Sequence, residues 1–138
     1  MEVIHIRQGD TTTSENKKRV GVLSDTFYKN ILSRNSELSY RVVITDDVEG
    51  AKQVLHGISV DAIFGPRELD PWQSLYLMAH SKRLIMANST FSWWGGFLAL
   101  LKGAEVIIPE PFFNSPELDT RGALNYPGFA TTKSHFVE

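Results

Sequence analysis

Cysteine is absent from this 138-residue chain, which excludes disulfides and thiolate metal sites and fits a cytoplasmic protein. Charge of one sign is scarce as well. The 14 basic and 16 acidic residues leave a formal charge of -2, so no broad field favours nucleic acid or an anionic membrane, and any anion has to be held by local groups. No apolar run approaches the ~20 residues of a membrane span, and Met1 leads straight into a strand pattern without the layout of a signal peptide. Internal repeats and low-complexity tracts are lacking. What is present, 42% apolar and 22% charged residues, suits one domain that buries roughly two thirds of its unfolded surface.

Along the chain, apolar runs of strand period alternate with stretches of helical period. The pattern predicts five strands, at Glu2 to Arg7, Tyr40 to Thr45, Val60 to Phe64, Arg83 to Ala87 and Glu105 to Ile108. Helices are expected at Ser24 to Arg34, Val48 to Leu55, Pro71 to Ser81 and Thr90 to Leu101, each long enough for a right-handed crossover between parallel strands. The fold class is therefore α/β, a Rossmann-like doubly wound parallel sheet of about five strands. Thr11 to Arg19 is polar and basic without apolar period and reads as a mobile loop over the end of the first strand. Residues 109–138, with Pro111, Pro116, Gly122, Pro127 and Gly128, read as an irregular C-terminal wrap.

Chemistry should gather at the strand ends. His5 and Arg7 lie two residues apart on a strand and so project from one face, about 6.6 Å apart at ~3.3 Å per residue. Arg7 offers a planar fork of donors suited to phosphate, Gly9 permits a turn, and Asp10 can orient Arg7 or contact a sugar. The plainer alternative is an Arg7–Asp10 ion pair beside a hydrogen-bonded edge histidine. Later, residues 85–96 break from a buried strand into Asn88, Ser89 and Thr90 before a helix bearing Trp93 and Trp94. Small hydroxyls and free amides at a helix start attract phosphate.

Other features have mainly structural readings. Asp46 and Glu49 are spaced for a helix cap, although Asp46 and Asp47 together exceed what a cap requires. Asp70 before Pro71 predicts another N-cap, and Trp72, Leu75, Leu77 and Met78 a packed helical face. His80 reads as a surface residue, and no histidine or cysteine spacing implies a metal site. Trp93 and Trp94 point about 100° apart on a helix, so one is expected to pack and the other to reach toward the cleft or a second domain. Gly95 and Gly96 predict close backbone packing against a ligand or a neighbouring strand. Asn88 to Thr90 also spells a glycosylation acceptor, accidental without a secretory signal.

Taken in order, His5 to Asp10, Ile44 to Asp47 followed by Ala51 and Lys52, Leu77 and Met78, and Ala87 to Gly96 followed by Val106 to Pro109 resemble the motifs of the α-1,2-fucosyltransferases of glycosyltransferase family 11. The likeness spans residues 2 to about 113. It implies the C-terminal, donor-binding half of a GT-B glycosyltransferase, which binds GDP-fucose and transfers fucose with inversion to a sugar hydroxyl of a glycan acceptor, with neither metal nor cofactor. Carried over by position, Arg7 holds the diphosphate, His5 lies by the nucleotide, Asp46 and Asp47 form an acidic pair near the site, and Ser89, Thr90 and Ser92 belong to a phosphate loop. Asp10 is the first candidate for the base that takes the acceptor proton, and Glu15 the second.

The departures are informative. Gln8 stands where the family usually has a second arginine, and Ser74 where many relatives have aspartate, with Asp70 one turn earlier. The resemblance also implies a preceding N-terminal half that contributes acceptor contacts. An exposed apolar face at that junction would favour self-association. A non-catalytic nucleotide- or partner-binding module is the alternative reading.

Overall fold

The computed structural model describes residues 1–9, 13–34, 40–118 and 122–138. Six strands form one sheet: β1 (Glu2–Ile6), β2 (Arg41–Thr45), β3 (Ala62–Phe64), β4 (Arg83–Ile85), β5 (Glu105–Glu110) and β6 (Ala130–Lys133). Every neighbouring pair is parallel, in the order β3-β2-β1-β4-β5-β6. The chain crosses from β1 to β2 on one side and, after β3, returns to place β4 on the other side of β1. That reversal leaves a crevice at the C-terminal ends of β1 and β4, where doubly wound sheets bind ligands.

Two apolar layers sandwich the sheet. On one face α2 (Asp25–Leu32) and α3 (Val48–Val54) cover Ile4, Ile6, Val43 and Ile85 through Phe27, Tyr28, Ile31 and Ala51. On the other, α4 (Pro71–Ala79) and α5 (Thr90–Leu101) cover Val3, Val42, Leu84 and Val106 through Met78 and Ala99. Strands covered on both faces read as continuous apolar runs, which is why they were legible.

The expected α/β architecture holds, with three differences. The segment expected to be a loop contains α1 (Ser14–Arg19), capped by the Thr13 hydroxyl, which accepts from Asn16 N at 3.3 Å. Glu15 in its first turn and Lys17, Lys18 and Arg19 in its last complement the helix dipole. Nothing in α1 is buried, so it has no apolar period to detect.

A sixth strand, β6, lies within the stretch expected to be irregular and pairs with β5. Its residues are mostly exposed. Its placement is fixed by packing before it, where Trp93 stacks on Phe97 and meets Tyr126 and Phe129 edge-on, while Trp93 Nε1 donates to Leu124 O at 2.7 Å. Finally, β4 stops at Ile85 and not Ala87, because the Ala87 amide donates to Ser92 Oγ at 3.0 Å and leaves the ladder.

Candidate functional site

A cavity of about 750 Å³ opens at the topological crossover. Its floor comes from the ends of β1 and β2 (His5, Arg7, Thr45, Asp46), one side from Asn88 to Phe91 at the start of α5, and another from Gly65, Leu69, Asp70 and Ser74 leading into α4. Val20 and Phe113 close an apolar wall.

The helix start is built by its own sequence. Ser89 is the N-cap of α5, its hydroxyl accepting from Ser92 N at 3.1 Å, while Ser92 Oγ reaches back to the Ala87 amide. These two serines shape the strand-to-helix turn, and Ser89, Thr90 and Phe91 at its start border the crevice, which brings the positive end of the helix dipole to it. Asn88 fastens the turn from the other side: its Nδ2 donates to Val20 O and Gly21 O, both at 3.0 Å. From sequence, Asn88 reads as part of a polar strand end and of an accidental glycosylation acceptor, without this role. A buried asparagine between a strand and a serine cap is the signal that points to such a strut.

At the end of β1, Asp46 receives the amides of Gln8 and Gly9, each at 2.8 Å. It is not the cap of α3, as its spacing from Glu49 suggested. Asp47 has that part, accepting from Gly50 N at 3.0 Å, and two adjacent acids thus divide two tasks. A Cβ on Gly50 would collide with the Gln8 side-chain oxygen and lie 2.5 Å from Asp47 Oδ2, so glycine there admits Gln8 over the first turn of α3.

His5 is 7% exposed. Burial holds its pKa down at about 4 against an ordinary 6.5, with Asp46 pulling upward and Arg7 pushing further down, so the ring is neutral at pH 7. Its Nδ1 is buried without a hydrogen-bond partner among the described residues, its ring meets Phe91 edge-on at 5.8 Å, and its carbonyl accepts from the buried Tyr28 hydroxyl at 3.3 Å. Burial, with Asp46, raises the Tyr28 pKa, which keeps that donor protonated.

Of the residues singled out in the sequence, His5, Arg7, Asp46, Ser89 and Thr90 border this one cavity. Asp47 and Ser92 support it from behind, and Glu15 sits exposed in the first turn of α1, outside the lining. Asp10 lies outside the described residues. Neither tryptophan reaches the cavity: Trp93 packs on the C-terminal segment and Trp94 faces solvent. Gly95 and Gly96 approach Met78 of α4 and Met86 beside the sheet, with no part in the lining. Asp70 is the predicted N-cap, forming a reciprocal box with Gln73 at 2.8 and 2.9 Å. Phe113 could not be foreseen, since nothing local in a proline-rich segment says which wall it completes.

The model of Glycosyl transferase family 11 matches residues 2–124. Among curated proteins, the chain is 31% identical over 128 residues to the alpha-1,2-colitosyltransferase of Escherichia coli, covering 85% of this chain and 42% of that protein. It is 28% identical over 115 residues to the O-antigen biosynthesis glycosyltransferase WbnK of Escherichia coli, covering 80% of this chain and 38% of that protein. The chain thus spans about two fifths of the length of these relatives. No solved structure gives a significant match.

Proposed function

Because the chain belongs to glycosyl transferase family 11, we propose that its cavity binds the nucleotide-sugar donor of a fucosyltransferase-type reaction, GDP-fucose, for inverting transfer to a sugar hydroxyl of a glycan acceptor. The observation that carries this reading is the convergence on one crevice of the Arg7 position, the His5 ring and the N-terminus of α5. Transfer breaks the bond between the sugar C1 and the β-phosphate oxygen, leaving negative charge on the nucleoside diphosphate. A guanidinium and helix-start amides stabilise that charge in place, without a metal ion.

In this reading Arg7 takes the diphosphate together with Ser89 and Thr90, and neutral His5 lies by the nucleotide. Asp46 acts by fixing the backbone that aims Arg7, Asp47 by anchoring α3, and Ser92 by shaping the turn. The acceptor hydroxyl gives its proton to a carboxylate as it attacks C1. Asp10, next to the Gly9 amide held by Asp46, is our first choice, and Glu15 the second. The chain spans about two fifths of the length of its relatives, so this reading assigns it the donor side of the reaction and leaves the acceptor unassigned.

Calorimetric titration with GDP, GDP-fucose, UDP and ADP tests the donor assignment. The expected result is a GDP-selective signal that Arg7→Ala weakens at least tenfold, about 1.4 kcal/mol or more. Binding to none of the four would favour a partner-binding module, and equal binding of UDP would refute the choice of base.

A further inference from the structure

The outward side of α4 and α5 differs from every other helical surface described. Trp72 and Tyr76, one turn apart on α4, are 79% and 63% exposed, and Trp94 and Leu101, two turns apart on α5, are 56% and 66% exposed. Spacings of four and seven keep each pair on one side of its helix. The opposite sides are the packed ones: a Cβ on Gly95 would strike Met78 of α4, and one on Gly96 would lie 2.7 Å from Met86 Sδ and 3.1 Å from Val106. Two adjacent helices therefore turn aromatic sides to water together.

Neither helix contains Asp, Glu, Lys or Arg, although at the 22% charged fraction of the chain their 9 and 12 residues would carry four or five. The helices on the other face of the sheet follow the usual rule, presenting Asp25–Lys29 on α2 and Glu49–Lys52 on α3 as ion pairs at 2.9 Å.

We propose that this face is the contact between two copies of the chain, the α4–α5 side of one meeting the same side of the other. Charge selects the occupant. An isologous contact brings a surface against itself, so a charged face would repel its twin and this uncharged one does not. An anionic membrane would need Lys or Arg on these helices, and a charged protein partner would need complementary charge; they carry neither. Trp and Tyr enrichment with depletion of charge is also the composition of an interface core. At ~150–250 Å² per large aromatic, the four side chains offer on the order of 500 Å² per copy, which the half-buried Phe97 and Leu98 extend. That approaches the ~800 Å² per partner of a standard interface and corresponds to a reversible dimer. The inference uses nothing of the donor cavity and stands or falls apart from it.

Sedimentation velocity between about 1 and about 200 µM, a range bracketing micromolar association, provides the test. The weight-average mass is expected to climb from the 15.5 kDa of one chain toward twice that value. Trp72→Glu should shift the transition at least tenfold upward in concentration, whereas Lys52→Glu, on α3 across the sheet, should not move it. Unchanged circular dichroism confirms that both variants fold. A mass that stays at one chain throughout overturns the proposal, as does association indifferent to Trp72→Glu. Binding of a monomeric chain to phosphatidylcholine vesicles, lost in Trp72→Glu, would also overturn it by assigning the face to a lipid surface.

Discussion

The two ends of the sheet use the same kinds of residue to opposite effect. At the N-terminal end, Glu2 is fully buried and bridges Arg41 Nε at 2.7 Å and Arg83 Nη1 at 2.8 Å, with Glu105 3.4 Å from Arg83 Nε. The buried charges of Glu2 and Arg83 are answered there by the protein itself. At the C-terminal end, the charged and polar groups of β1, β2 and α5 face a cavity, and a buried histidine nitrogen has no partner among the described residues. Charge neutralised internally holds strands in register; groups gathered at the border of a cavity are placed for something that arrives from outside.

The largest test of this contrast breaks the closed end. Glu2→Ala leaves Arg83 buried without its main counter-charge and is expected to destabilise the fold by about 3–5 kcal/mol, read by urea unfolding, while nucleotide affinity in the folded protein changes little. If affinity falls with stability, the two ends are not separable.

Next in size is the pH dependence set by His5. Its native pKa, about 4, lies below the ordinary 6.5, so between these values the unfolded chain binds a proton that the native protein does not. The stabilisation from a neutral His5 is complete above pH 6.5 and disappears as pH falls to about 4, a change of about 3 kcal/mol. His5→Asn should flatten that part of the stability curve. An unchanged slope would mean that other groups carry it.

A smaller effect is expected at Asp46, whose two amide hydrogen bonds lie at the protein surface. Asp46→Ala should cost about 1–2 kcal/mol of stability and yet weaken GDP binding by tenfold or more, since the turn that follows Arg7 loses its anchor. Stability loss without an affinity loss would separate Asp46 from the site.

Most of the sheet was legible because parallel strands buried on both faces must be apolar throughout. The helices with a packed side, α2 to α5, were legible for the same reason, although Trp72, expected on the packed face of α4, stands 79% exposed. What escaped was whatever carries no burial pattern: α1, held by a cap and by charge placement, and β6, positioned by aromatic packing that precedes it. Within the site, Arg7, His5 and the Ser89 turn, singled out by residue type, border one cavity. The division of labour between Asp46 and Asp47 did not show, because two neighbouring carboxylates look alike until the backbone amides they meet are known.

Local order along the chain was enough to determine the alternation of strands and helices and the cap at Asp70, since each depends on residues only a few positions apart, and the succession of motifs along it pointed to the family. Only the tertiary structure decided that residues near 5, 46, 89 and 113 border one cavity, and that the aromatic sides of α4 and α5 face water. Those outcomes follow from where strand order reverses and which helix side meets the sheet, and contacts across tens of residues leave no mark on neighbouring positions.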